Sequence, residues 1–211
     1  MATVATPYGL RAVNAIGGRP FNGGTIREFK VPANNAAAIF NGDLVVLSAA
    51  GQPSAVSTTP TTSTAGIVGV CVGARYVSAE GQPTINHYLP ANVITGGGQD
   101  VWVMVMDDPD ALFHIKGTAA LGTFNSGTDG SGWPGAIGKN APLNFSAGGN
   151  TATGNSGVAL TVGANGASLA STGTLAVRIV GIVGETASDP YPEFVVKLNA
   201  GVHSYDTSTG V

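Results

Sequence analysis

Three histidines, His87, His114 and His203, are the residues with the widest chemical range in this chain. No two stand four residues apart, the spacing that would set two metal ligands on one helix face. Nothing beside any of them marks a second ligand, so each is expected to be an ordinary polar or partly buried side chain. Asp107, Asp108 and Asp110 put three carboxylates within four residues, a set of hard oxygen donors that suits calcium. The EF-hand pattern is absent, and the alternative is a turn after a strand with one Asp capping a short helix. Residues 132–140 have the look of a phosphate loop, but Trp133 stands where its first glycine belongs and Asn140 replaces the Ser or Thr that holds magnesium. No G-x-S-x-G elbow is present. The single cysteine, Cys71, rules out an intrachain disulfide and a cysteine-based zinc site. These residues lead to an expectation of no enzyme, no metal and no cofactor.

Composition narrows the class further. Charged residues make up 10% of 211 positions, against about 25% in an ordinary soluble domain. Net charge is −3 with nine Lys and Arg in all, too few for a stripe that grips phosphates, so no nucleic acid is expected as partner. A spanning helix needs about 20 apolar residues in a row. The best run, residues 66–74, is under half of that, and no membrane partner is expected. Residues 1–7 lack a basic stretch followed by an apolar one, so no secretory leader is expected. Hydrophobic residues at 43%, gathered in blocks, argue against disorder.

The elements that would position any site read as strands. Ile67-Val68-Gly69-Val70-Cys71-Val72 is a continuous apolar run, suited to a strand buried on both faces, with Gly69 marking a bulge or a close approach. Residues 101–106 are apolar on both faces. Leu175, Val177, Ile179 and Val183 share one face opposite Arg178, and Phe194, Val196 and Leu198 share one face opposite Lys197. Further strands are expected over residues 25–31, 43–47 and 84–89. The one helix signal is Asp108-Pro109-Asp110-Ala111-Leu112-Phe113, where Pro follows a capping Asp. Many short strands between Gly and Pro turns predict an all-β chain, a β-sandwich or jelly-roll-like body.

Residues 1–24 are punctuated by Pro7, Gly9, Gly17, Gly18, Pro20, Gly23 and Gly24 and read as an extended N-terminal arm. Residues 25–211 read as a single β-rich domain with long Gly/Ser/Thr loops. The loop at 146–157 has only small or polar side chains, and to be ordered it would need a surface to lie on. Arg11, Arg19, Arg27 and Lys30 face only Glu28 among the first thirty residues. A mildly basic, apolar arm on an acidic body suits docking to an acidic protein surface.

Several stretches together resemble a known family. They are Tyr8-Gly9-Leu10-Arg11-Ala12-Val13-Asn14 and Ile16-Gly17-Gly18-Arg19-Pro20-Phe21, then Ile39-Phe40-Asn41-Gly42-Asp43-Leu44-Val45. Next come Asp107-Asp108-Pro109-Asp110-Ala111-Leu112-Phe113, Arg178-Ile179-Val180-Gly181-Ile182-Val183 and Val195-Val196-Lys197-Leu198-Asn199. In this order, over nearly the whole chain, they resemble the capsid cement (decoration) proteins of tailed bacteriophages. The resemblance implies a β-rich body, often a homotrimer, bound to the outside of an icosahedral head. It implies the major capsid protein as partner, a place on the virion after synthesis in the host cytoplasm, and no catalytic residues or small-molecule substrate. On that reading the contacts with capsid or sister subunits are expected in the arm, at Tyr8, Leu10, Arg11, Arg19, Phe21 and Arg27, because Tyr and Arg dominate interface energetics. Trp133 is a second candidate, for a loop contact or a trimer core. The alternative is another phage virion component, a head fibre or a receptor- or glycan-binding module, the last presenting Trp102 or Tyr88 on a flat sheet face.

Overall fold

The alternating segments and the doubly apolar ones fold into strands. A computed structural model describes residues 5–17, 25–32, 35–60, 66–93, 100–122 and 133–206. In chain order its strands are β1 (Arg11–Ala15), β2 (Ile26–Val31), β3 (Leu44–Leu47), β4 (Pro53–Ala55), β5 (Ile67–Val77), β6 (Pro83–Asn86), β7 (Val101–Met106), β8 (Ala111–Lys116), β9 (Asn140–Ala141), β10 (Leu143–Asn144), β11 (Ala159–Leu160), β12 (Val177–Ile182) and β13 (Glu193–Leu198). Among the described residues there is no α-helix, and short 3-10 turns stand at Trp133–Ala136, Ala164–Gly166 and Gly184–Thr186. The chain is all-β and sandwich-like.

Two antiparallel sheets carry the body. One runs β1-β8-β13-β12-β9; the other runs β2-β7-β5-β3-β4, with β6 added beside β5. Between them lies a core of Leu44, Ile67, Val70 and Met106 from the second sheet, facing Phe113, Ile115, Val177, Ile179, Phe194 and Val196 from the first. The second sheet also has a core on its other face, made by Val101, Val103 and Val105 of β7 with Val68, Cys71 and Ala74 of β5, and closed by Ile39, Leu89 and Val93. Its edge strands β2 and β4 approach each other as the sheet curls around this second cluster. That is why β5 and β7 are apolar on both faces, while β12 and β13 alternate cleanly.

Bulges let β5 serve both cores. The pairing of β3 with β5 slips near Gly69, and that of β5 with β7 slips between Cys71 and Gly73. At Gly69 a Cβ would lie 1.9 Å from the Met106 carbonyl oxygen, so only glycine lets the two backbones come this close.

The helix expected from Asp108 does not form. Asp108 Oδ1 accepts the Asp110 N–H at 2.8 Å, and the Ala111 N–H reaches the Asp108 carbonyl at 3.0 Å. The turn then opens directly into β8. Ala111, Phe113 and Ile115 alternate inward, and that period of 2 outweighs the helix-start signal of a proline after a capping Asp.

The glycine-rich loop at 146–157 does lie on a surface. Asn150 Oδ1 accepts the N–H groups of Ala152 and Thr153, and Asn41 and Asn155 form a parallel bridge. Gly149 packs so close to the Phe40 ring that a Cβ there would overlap it. Phe40 in turn stacks on Tyr88 with ring centres 5.0 Å apart.

Candidate docking surface

The N-terminal segment reaches its place through a narrow gap. The Gly9 N–H bonds the Val158 carbonyl at 3.2 Å and the Leu10 N–H bonds the Gly42 carbonyl at 3.0 Å. Gly9 has φ +78°, and a Cβ on it would meet Ser156 Cβ at 2.6 Å and Gly42 O at 2.8 Å. Beneath this crossing Asp43 is buried. It accepts the Phe40 N–H at 2.8 Å and the Ser156 hydroxyl at 2.5 Å. Burial raises the Asp43 pKa, and these two bonds oppose the rise.

Past the gap the chain becomes β1 and pairs with β8, Arg11 opposite His114 and Ala12 opposite Phe113. Leu10 is 1% exposed and belongs to the inter-sheet core. Of the two places open to the arm, its own domain or a neighbour, residues 5–17 lie on their own domain.

Tyr8 and Arg11 stay at the surface and line an open groove with Ala12, His114, Asn155 and Glu193. The Tyr8 ring lies under two cations, Arg11 at 5.4 Å and Lys116 at 5.5 Å from its centre. Its hydroxyl bonds Glu193, and burial, then the charge and hydrogen bond of Glu193, push its pKa well above the usual tyrosine value. Asn155 Oδ1 accepts an Arg11 NH2 donor at 2.8 Å and lies 3.1 Å from His87 Nε2. Across the Tyr8 segment a smaller cavity of about 210 Å³ opens between Ala5, Pro7, Lys116, Ala147 and Tyr191. The arrangement can hold a chain segment and anchor an anionic side chain.

The other expected contact residues are not gathered here. Arg27 lies on the other sheet, where its Nε is 2.8 Å from Asp107 Oδ2 and its guanidinium lies 5.5 Å from the centre of the Tyr205 ring. Lys30 pairs with Asp100 at 2.5 Å. Arg11, Arg27 and Lys30, the described basic residues of the first thirty positions, therefore form no single patch, because β2 and β1 sit in different sheets. Arg19 and Phe21 lie outside the described residues. Trp133 opens the 3-10 turn that leads to β9, and its side chain lies outside the described part.

The acidic run also disperses. Asp107 takes Arg27 and the Tyr205 hydroxyl (2.8 Å), Asp108 caps its turn, and Asp110 takes Lys197 at 2.8 Å. Among the described residues no three His, Cys, Asp or Glu side chains converge as a metal site. His203 is buried, far along the chain from the groove, with Nδ1 accepting the Tyr205 N–H at 3.2 Å.

Sequence reasoning missed His114, Asn155 and Glu193 as partners of Tyr8 and Arg11. For Glu193 and His114 the usable signal was their outward place on alternating strands; for Asn155 there was none. Compared with known proteins, the chain matches no family model, no curated protein and no solved structure.

Proposed function

We propose that this chain is a structural virion protein, a capsid cement protein that binds the outside of an icosahedral phage head and bridges its capsomers as a homotrimer. The observation that carries the reading is spatial. The described parts of the stretches that resemble cement proteins, spread from residue 8 to residue 199, lie against one another. β1 pairs with β8, β8 with β13 and β13 with β12. Gly9 lies against Gly42, the Ile16 N–H bonds the Asp110 carbonyl, and Lys197 bonds Asp110. The resemblance thus falls mainly on the five-stranded sheet and on the crossing where Gly42 meets Gly9. A rigid β framework with few charges also suits the role, since its surface loses little hydration on assembly. Many copies of a modest contact then hold by avidity.

The test is co-sedimentation of the full chain with mature shells of the phage that encodes it. Saturable binding at a fixed ratio to the capsid subunit is the expected result. A folded protein that stays in the supernatant at every shell concentration sinks the cement reading. A form lacking residues 1–24 is a poor comparison, because it would strip β1 from its sheet and Leu10 from the core.

A further inference from the structure

We propose that the outward face of the β1-β8-β13-β12 sheet docks an acidic protein segment, with Arg11 and Arg178 as its charged anchors. The inference rests on the cement reading only in placing that segment on the shell; the surface itself is argued from charge and register.

The strand register sets out the face. Arg11, His114 and Val195 form one row across β1, β8 and β13, and Leu112, Lys197 and Arg178 form the next across β8, β13 and β12. Arg178 is exposed and Arg11, Leu112, His114, Val195 and Lys197 are half-buried, and Val180 on β12 is exposed as well. Arg11 and Arg178 are separated by three strand spacings, about 15 Å.

The charges on this face do not cancel. Lys197 is matched by Asp110 at 2.8 Å, and Lys116 by Glu193 at 4.0 Å. Arg11 and Arg178 bond amide oxygens, Asn155 Oδ1 at 2.8 Å and Asn140 Oδ1 at 3.0 Å, and Arg11 also lies over the Tyr8 ring, whose hydroxyl holds Glu193. An amide orients a guanidinium and leaves its charge in place. Arg11 Nε is buried with no acceptor among the described residues, so the charge of this guanidinium meets an incoming carboxylate through its outer nitrogens. The other sheet behaves oppositely. Its Arg27, Lys30 and Arg75 hold Asp107, Asp100 and Glu28 at 2.8, 2.5 and 2.6 Å. Uncancelled positive charge thus collects on one face of a chain whose net charge is −3. Two anchors with Leu112 and Val195 between them fit an acidic peptide of mixed polarity better than a phosphate backbone, which needs a longer basic track.

Fluorescence anisotropy with fluorescein-labelled decaglutamate at low ionic strength tests the face. The expected result is binding that Arg178→Gln weakens about threefold and the Arg11→Gln/Arg178→Gln pair about tenfold. Arg75→Gln, which makes the same change in net charge on the other sheet, is expected to leave binding unchanged. Arg178 is exposed, so its single variant stays informative even if the pair fails to fold. No binding by the parent chain, or equal weakening by Arg75→Gln, overturns the inference. An oligomer in sedimentation velocity that Arg178→Gln dissociates also overturns it, by giving the face to a second copy of the chain. Decaglutamate binding without shell binding supports the face and sinks the cement reading instead.

Discussion

The two sheets are both antiparallel, yet they bury different numbers of faces. Along β5 and the end of β7 the six-stranded sheet is buried on both sides, by the inter-sheet core and by the core of its own curl. The five-stranded sheet buries one side and turns Arg11, His114, Lys197 and Arg178 outward. The difference assigns labour. A sheet enclosed on both faces has spent its side chains on stability, while a sheet with a free face keeps a surface for recognition. Their cations repeat the contrast, matched with carboxylates on the first and partly unmatched on the second.

The most forceful way to break this comparison is to crowd the doubly buried sheet. Gly69→Val would drive a side chain into the Met106 backbone, and a loss of about 3 kcal/mol or more in urea unfolding is expected. Gly173→Val, where a Cβ meets nothing within 4 Å, is the control and should change stability by no more than about 0.5 kcal/mol. If both behave alike, close packing at β5 is not what holds this sheet.

Neighbours on β13 sharpen the one-sidedness of the other sheet. Phe194 is fully buried and Val195 faces outward. Phe194→Ala should cost about 3–5 kcal/mol, and Val195→Ala less than about 1 kcal/mol, by the same unfolding measurement. Equal losses would mean that something covers the outer face in the free protein.

A pH titration of stability probes the seam where the C-terminal segment joins β5. His203 bridges to Ile67, and the Ser204 N–H bonds the Ile67 carbonyl. Burial lowers the His203 pKa, helped by Lys197, while Asp206, Asp107 and Asp108 pull it upward. A lowered folded value means that neutral His203 is favoured in the fold. Its contribution is complete above the ordinary histidine range and falls away as pH drops through the folded value. Unfolding free energy should therefore decline from about pH 7 to about pH 5, and His203→Gln should flatten that slope. An unchanged slope would place the acid sensitivity elsewhere.

The smallest effect belongs to an exposed pair. Arg75 Nε and NH2 reach Glu28 at 2.6 and 2.7 Å, and the fork holds the Glu28 carboxyl below the usual carboxylate range. Both groups are wet, so Glu28→Gln should cost no more than about 0.5 kcal/mol, and less in high salt. A larger loss would make the surface pairs of this sheet structural as well.

What could be read from the sequence tracks how local the cause was. Faces of β12 and β13 are legible because a period of 2 is written into adjacent residues, and β5 announces its two cores by an unbroken apolar run. β1 was hidden. Gly9 and Gly17 bracket it like an arm, and its partner β8 is about a hundred residues away in sequence. The basic cluster of the first thirty residues dissolved for a similar reason, since β1 and β2 enter different sheets. Asp108 and Pro109 carried a true local signal, a cap, and only the inward alternation of β8 decided between helix and strand. The groove joins residues 8, 11, 12, 114, 155 and 193, and no spacing rule connects such positions.

The passage of Gly9 between Gly42 and Ser156 sets a timetable for synthesis. β1 leaves the ribosome before every strand it packs against, and it is not fully seated until the carbonyl of Val158 exists to accept the Gly9 N–H. β2 finds its partner β7 much sooner, so the curled sheet can close while β1 is still waiting, an unpaired strand with Leu10 uncovered. Pairings of such long range are slow to form, and a waiting apolar strand invites association with other nascent chains. Residues 9–15 are made long before they are locked, and production of this protein should suffer most where elongation stalls between residues 116 and 158.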